Sequence, residues 1–81
     1  MRPMKALSAI MEDGGHTKAS LSKRLGKNRA YINNYYGKGI VPRVDTYSKI
    51  IDACDYDLVA RSRSSGKEIV ITQEDTDNED G

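Results

Sequence analysis

The chain has 81 residues, of which 37% are hydrophobic and 31% are charged. This length leaves room for one small domain with a modest core, and it excludes a multidomain enzyme. No run of residues approaches the roughly 18 apolar positions of a membrane span or the apolar core of a signal peptide, so we expect a cytoplasmic protein that does not contact membranes. The single cysteine, Cys54, excludes an intramolecular disulfide and a paired-thiol metal or redox site.

The formal net charge of +1 hides an uneven distribution of charge along the chain. Residues 17–44 contain seven basic residues and no acidic residue, whereas five of the twelve acidic residues lie in the last eight positions. A basic segment of this kind favours a polyanionic partner. Residues 74–81 carry no apolar side chain, and we expect them to form a disordered acidic tail.

Two helices are predicted in the first part of the chain. In the first helix, apolar side chains recur every three or four positions before the Gly14-Gly15 pair, and they are Met4, Leu7, Ile10 and Met11. The second helix begins after Thr17, a good N-cap, and carries Leu21 and Leu25 on one face. Gly26 is expected to end this helix in the left-handed conformation.

Two further helices follow in the sequence. The third is predicted from Arg29 to Tyr36, with Asn28 as its cap and a break at Gly37-Lys38-Gly39. The fourth is predicted after Pro42, with Asp45 or a neighbour as its cap. Its apolar stripe should close the core, and it consists of Val44, Tyr47, Ile50, Ile51 and Cys54.

A C-terminal β-hairpin is predicted within residues 57–73. Its strands run from Leu58 to Arg63 and from Lys67 to Thr72, joined by Ser64-Ser65-Gly66. A two-stranded ribbon has marginal stability alone and exposes an edge with which a second copy can pair. The hairpin is therefore the predicted homodimer interface, although the same apolar side chains can instead cover the helical core. They are Leu58, Val59, Ile69, Val70 and Ile71.

The segment TKASLSKRLGKNRAYINNYYG, from Thr17 to Gly37, resembles the helix-turn-helix of the lambda repressor and Cro family of DNA-binding proteins. Ser22 precedes Gly26 by four positions and Ile32 follows it by six, as in the family's pattern. The next segment, GKGIVPRVDTYSKIIDAC, resembles the loop and packing helix of these domains, so the likeness covers about residues 4–56. It implies a mainly α, lambda repressor-like DNA-binding domain of four or five helices in residues 1–56, with its helix-turn-helix at about 17–37.

The outer face of the predicted third helix has side chains that suit DNA bases. Rotation by 100° per residue turns Tyr31, Ile32 and Tyr35 towards one side. Arginine pairs with guanine, asparagine pairs with adenine, and alanine can touch a thymine methyl group in the major groove. The predicted base contacts, which are also base-reading positions of the family, are Arg29, Ala30, Asn33 and Asn34.

Both predicted helices of the helix-turn-helix begin with a cation, Lys18 or Arg29, where folding alone would favour an acid. Free amides beside a cation form an arrangement that binds phosphate. Some of Lys23, Arg24 and Lys27 must face away from DNA. The predicted phosphate contacts are Thr17, Lys18, Asn28, Tyr36, Lys38 and Arg43.

These features predict a transcriptional regulator, with repression as its expected activity, that binds double-stranded DNA at a pseudo-palindromic operator. A homodimer is expected because one such module buries limited DNA surface. The alternative is an antitoxin-like protein that neutralises a protein partner and also binds its own operator. An enzyme is not expected, because no paired carboxylates and no nucleophile with a base are visible. No cofactor or metal site is expected either, since His16 is the single histidine.

Overall fold

Residues 1–72, which the computed structural model describes, form four α-helices followed by a two-stranded antiparallel hairpin. The elements are α1 (Pro3–Gly14), α2 (Lys18–Arg24), α3 (Tyr31–Lys38), α4 (Val44–Asp52), β1 (Leu58–Arg61) and β2 (Glu68–Ile71). The predicted mainly α class with a C-terminal hairpin is confirmed. The predicted acidic tail at 74–81 lies outside the described residues.

The ends of α2 follow the signals in the sequence. The Thr17 hydroxyl accepts a hydrogen bond from the Ser20 amide at 3.0 Å, and the Ser20 hydroxyl accepts one from the Thr17 amide at 2.9 Å. This reciprocal pair satisfies two amides that the first turn leaves free. Gly26 has a φ of +74°, so the predicted left-handed conformation after α2 is confirmed.

All four helices contribute side chains to one core. The buried apolar residues are Leu7, Met11, Leu21, Ile32, Tyr47, Ile50, Ile51 and Cys54. Two tyrosine hydroxyls also anchor α1, since Tyr47 donates to the Pro3 carbonyl at 2.6 Å and Tyr36 donates to the Met4 carbonyl at 3.0 Å. The first turn of α1 is therefore held by α4 and by α3.

The predicted bounds of the third helix were wrong at both ends. Asn28 does not cap the helix; its Oδ1 accepts from the Ala30 amide at 2.7 Å, and its carbonyl accepts from the Tyr31 amide at 2.9 Å. These two bonds form a turn that delays the start of α3 to Tyr31. Gly37 lies inside α3, which ends at Gly39 with a φ of +65°. A single glycine lowers helix stability by only about 1 kcal/mol, which neighbouring contacts can offset.

Val44 does not belong to the buried stripe of α4, as was predicted, because 63% of it is exposed. It has the helical phase of Ile51 but stands in the first turn of α4. There it lines an open groove with Ala6 of α1 and Leu58 of β1, instead of a closed core. The periodicity of a helix predicts the direction of a side chain. It does not predict whether the neighbouring elements extend far enough to bury that side chain.

The hairpin contacts the helices mainly through its base. Leu58 of β1 is half-buried against the core, and the Ser48 hydroxyl of α4 donates to the Ile71 carbonyl of β2 at 3.2 Å. The other predicted interface residues, Val59, Ile69, Val70 and Ile71, have exposed side chains. Most of the apolar surface of the hairpin is therefore not used by the core of the same chain.

Candidate nucleic-acid interface

Ser22 fixes how α2 and α3 meet. Its side chain is completely buried, its hydroxyl donates to the Lys18 carbonyl at 2.7 Å, and it accepts from the Ile32 amide at 3.0 Å. The Ile32 amide lies in the first turn of α3, where no intrahelical acceptor exists. Ala30, the N-cap residue, has no side-chain oxygen. Ser22 therefore supplies from α2 the cap that α3 lacks, and it sets the position of the N-terminal end of α3.

The four predicted base-contact residues lie together at this end of α3. Arg29 and Ala30 stand in the turn before the helix, with Arg29 exposed and Ala30 half-buried. Asn33 and Asn34 follow inside α3, and both are exposed. Ile32, between the two pairs, is buried in the core. The structure thus presents one guanidinium in the turn before α3 and two exposed amides on a helix whose inner side is fixed in the core.

A basic groove lies between the first turn of α2 and the turn before α3. Its volume is about 540 Å³, and its lining residues are Thr17, Ala19, Ser20, Lys23, Lys27 and Arg29. Three of these side chains are cations, two are hydroxyls and none is acidic. Because Arg29 belongs both to this groove and to the base-contact group, an anion bound here would lie directly beside the outer side of α3.

Lys23 and Lys27 were not assigned to the site in the sequence, although the signal for Lys23 was present. Rotation of 100° per residue places Lys23 opposite the inward-facing Leu21 and Leu25. The neighbouring Arg24 takes another direction: burial raises the pKa of the Cys54 thiol, and the nearby Arg24 charge partly opposes that rise. Arg24 therefore lies near Cys54, just after α4, and it does not line the basic groove.

Lys18 and Tyr36 are in contact with each other. The Lys18 Nζ atom lies 4.3 Å from the centre of the Tyr36 ring, a distance that gives a cation–π interaction. The Tyr36 hydroxyl lies against α1, within 2.9 Å of the Ser8 hydroxyl. Tyr36 thus joins α1 to α3 and contacts the first residue of α2 through its ring, while its contact with phosphate stays a prediction.

Lys38 is the last residue of α3, and Arg43 lies at the end of the loop that leads from α3 to α4. Lys38 lines a small cleft of about 260 Å³ with Asn34, Tyr31, Tyr35 and Ile40. Arg43, which precedes α4, has its Nε 3.8 Å from an Asp45 carboxylate oxygen, and its side chain is almost fully exposed. An exposed ion pair of this length contributes little to the free energy of folding. Arg43 can therefore exchange Asp45 for a stronger anionic partner.

Two tyrosines of α3 pack against each other. The Tyr31 and Tyr35 rings stand edge to face with centres 5.5 Å apart, and the Lys27 Nζ atom lies 5.5 Å from the Tyr31 ring centre. The neighbouring Tyr31 hydroxyl, together with partial burial, raises the pKa of Tyr35 above its usual value of 10.0. Tyr31 is half-buried and not fully inward. It connects the basic groove to the cleft that holds Lys38.

Metal-binding and membrane-spanning features are absent from the part of the chain that the structure describes. Within residues 1–72, no group of three or more histidine, cysteine, aspartate or glutamate side chains could hold a metal ion. No helix among these residues has both the length and the apolar character needed to cross a membrane. Comparisons with protein-family models, with curated proteins and with solved structures give no match for this chain.

Proposed function

We propose that the chain is a sequence-specific regulator of transcription, with a lambda repressor-like fold, that binds double-stranded DNA through α3. The observation that carries this proposal is that side chains suited to base edges and side chains suited to phosphates lie next to each other at the N-terminal end of α3. Arg29, Asn33 and Asn34 are exposed there, and the basic groove adjoins them without an acidic residue. Base edges and phosphates lie side by side in the same way along the major groove.

The base-reading part of the proposal rests on residue chemistry. Arginine recognises the O6 and N7 atoms of guanine, and asparagine recognises the N6 and N7 atoms of adenine, in both cases through two hydrogen bonds. Arg29 stands in the turn just before α3 and would reach deepest into the groove, with Asn33 and Asn34 following inside the helix. A preference for guanine and adenine in each half-site follows.

The phosphate-binding part rests on electrostatics. Lys23, Lys27 and Arg29 line one groove, Lys18 lies over the Tyr36 ring of α3, and Lys38 lines a cleft beside Asn34. Contacts of this type fix the register of a protein on DNA and add affinity for every sequence. Occupation of an operator is by itself sufficient for repression, and it requires only the surface described here.

The proposed active form is a homodimer on a pseudo-palindromic operator. Two copies would place their α3 helices about 34 Å apart, the length of one turn of DNA. The exposed apolar residues of the hairpin, Val59, Ile69 and Val70, supply the contact surface.

The electrostatic part can be tested with two matched lysine and arginine variants. If about six phosphates are neutralised per protomer, the logarithm of the DNA-binding constant should fall with the logarithm of salt concentration with a slope near −5. Lys27→Ala should reduce this slope by about 1. Arg24→Ala removes the same charge near α4 and should leave the slope unchanged. Equal effects of the two variants, measured by fluorescence anisotropy, would show a response to net charge and not to the basic groove.

The base-reading part can be tested with Arg29→Ala. On a selected DNA site this variant should lose about 1–3 kcal/mol of binding free energy and lose its preference at one base pair. Lys18→Ala is the comparison, because loss of a phosphate contact weakens binding to all sequences alike. An equal loss on the selected and the scrambled site for Arg29→Ala would refute the assigned role of this residue.

A further inference from the structure

The charges of the chain are divided between its body and its acidic tail. Residues 1–73 carry 13 basic and seven acidic side chains, which give a formal charge of +6. Residues 74–81 carry five acidic side chains and no basic one, and these acids are Glu74, Asp75, Asp77, Glu79 and Asp80. The net charge of +1 therefore results from two parts of opposite sign within one chain.

The basic groove has the charge that attracts such a tail. Lys23, Lys27 and Arg29 line it beside the hydroxyls of Thr17 and Ser20, and all three cations are exposed. Both ion pairs found among residues 1–72 lie elsewhere, one at the start of α4 and one in the hairpin. Within the described residues the cations of the groove thus have no acidic partner, and their charges are available to an anion.

We propose that the acidic tail of the same chain occupies the basic groove and that DNA must displace it. The occupation itself needs no DNA, whereas its regulatory consequence rests on the proposed function. Carboxylates of the tail would take the places in the groove where phosphates are expected. Because the tail must leave before any duplex enters, it would weaken binding to every DNA sequence by the same factor.

The tail has the length to reach the groove. It follows β2, whose last carbonyl accepts from the Ser48 hydroxyl of α4 at 3.2 Å. Cys54 follows Ser48 by six positions, about 9 Å along a helix axis. Burial raises the pKa of the Cys54 thiol and the nearby Arg24 charge opposes that rise, so Arg24 lies close to this point.

The remaining distance is that across α2. Lys23 of the groove precedes Arg24 and lies one helix diameter, about 10 Å, from the core side of α2. The path from the end of β2 to the groove is therefore about 20–25 Å long. Residues 73–81 are nine in number, and an extended chain of nine residues spans about 30 Å. The acids near the end of the tail can thus lie in the groove.

The hairpin carries a second group of cations, Arg61, Arg63 and Lys67, which is nearer to the start of the tail. Glu68 lies among these residues, and its carboxylate is 4.0 Å from the Arg61 guanidinium. The hairpin therefore has an acidic side chain of its own, whereas the lining of the basic groove has none. The balance of charge favours the groove as the place where the tail binds.

Attachment to the same chain compensates for the weakness of such a contact. A segment on a short linker has an effective concentration of about 1 mM at its binding site. If the dissociation constant of the contact itself is about 0.2 mM, the tail would lower the affinity for DNA about sixfold. Because the contact is exposed and electrostatic, salt should remove most of this effect.

Paramagnetic relaxation in nuclear magnetic resonance locates the tail without DNA. A nitroxide attached to Asn78→Cys keeps all five acidic charges of the tail, and Cys54, which is only 4% exposed, stays unlabelled in the folded chain. At about 20 mM salt the amide signals of Lys23 and Lys27 should broaden most strongly. Broadening that is strongest in the hairpin turn at residues 64–66, or that is missing at the groove, would overturn the proposal.

Two controls define the source of the broadening. When a spin-labelled chain is mixed with an isotope-labelled chain that lacks the nitroxide, no broadening is expected, because each groove takes the tail of its own chain. Broadening in this mixture would show that the tail binds another copy and would contradict the proposal.

Charge variants test the electrostatic cause. The tail variant carries Asp77→Asn, Glu79→Gln and Asp80→Asn. It should lose at least half of the broadening at the groove. The matched control carries Glu12→Gln, Asp52→Asn and Asp57→Asn, which replace three exposed acids of the body. It changes the net charge equally and should retain the broadening, so an equal loss in both variants would refute a specific contact.

The consequence for DNA binding is measured separately by fluorescence anisotropy. At about 20 mM salt the tail variant should bind a selected duplex and a scrambled duplex each at least threefold more tightly than the unmodified chain. This gain should fall below twofold at about 300 mM salt, and the matched control should gain less than half as much. Loss of broadening without tighter DNA binding would overturn the competition. Absence of DNA binding in every variant would refute the proposed function alone, since the nitroxide measurement contains no DNA.

Discussion

Replacement of Ser22 by alanine should destabilise the domain although it removes only one oxygen atom. The Ser22 side chain has no exposed surface, and its hydroxyl is the acceptor for the Ile32 amide at 3.0 Å. In Ser22→Ala the Ile32 amide keeps its buried position and loses its acceptor. A buried donor without a partner costs about 1–3 kcal/mol. The bond to the Lys18 carbonyl is also lost, but that carbonyl lies within α2 and can still accept along the helix.

The effect can be measured as a shift in the thermal or urea unfolding transition, followed by circular dichroism. For a domain of this size, each kcal/mol lowers the melting temperature by about 4–8 °C. Ser64→Ala is the matched control, because its hydroxyl lies exposed in the hairpin turn and should contribute less than about 0.5 kcal/mol. A Ser22→Ala variant as stable as the unmodified chain would refute the role of Ser22 as the cap of α3.

The remaining predictions concern glycine conformation, the buried thiol and a buried phenol. Gly26→Ala should lower the free energy of unfolding by about 1–2 kcal/mol, because Gly26 has a φ of +74°. Gly37→Ala should raise the free energy of unfolding by up to about 1 kcal/mol, because a Cβ there meets open space inside α3. Equal effects of the two variants in urea unfolding would contradict both assignments. Cys54 is only 4% exposed, and burial raises the pKa of its thiol, so a thiol reagent at pH 8 should react at least about tenfold faster after unfolding in urea. Burial also raises the pKa of Tyr47 above 10.0, so the folded chain holds this proton more tightly than the unfolded chain, and stability should fall as pH rises above 10. Tyr47→Phe should flatten this fall, and an unchanged pH dependence would exclude Tyr47 as its source.

The helices and the hairpin were predictable because local signals determine them. Thr17 and Gly26 mark the ends of α2 through capping and left-handed conformation, and both positions behave as predicted. The start of α3 was not predictable in the same way, because Asn28 can cap a helix or close a turn. The buried Ser22 hydroxyl accepts from the amide of Ile32, which follows Ser22 by ten positions. Ser22 thereby caps α3 in place of the N-cap residue Ala30, whose side chain forms no hydrogen bond. No local pattern reports that contact.

The candidate site was predictable in its residue types but not in its full extent. Asn33 and Asn34 were identified because rotation around a helix separates them from Ile32, and Arg29 was identified because arginine at the start of such a helix suits guanine. The basic groove joins residues of α2, the following turn and the start of α3, so Lys23 and Lys27 are recognised as part of one surface only when the chain is folded. The exposure of Val44 likewise depends on where α1 and the hairpin end.

Selection from a random library of DNA duplexes tests the central proposal most directly. The enriched sequences should contain an inverted repeat with half-site centres about 10 base pairs apart, and the unmodified chain should bind it far more tightly than a scrambled duplex. In the same selection Asn34→Ala should lose the preference at one position of each half-site while the spacing is retained. Failure to enrich any sequence, with only weak and salt-sensitive binding, would contradict sequence-specific recognition by α3 and would favour a protein partner as the main ligand of this domain.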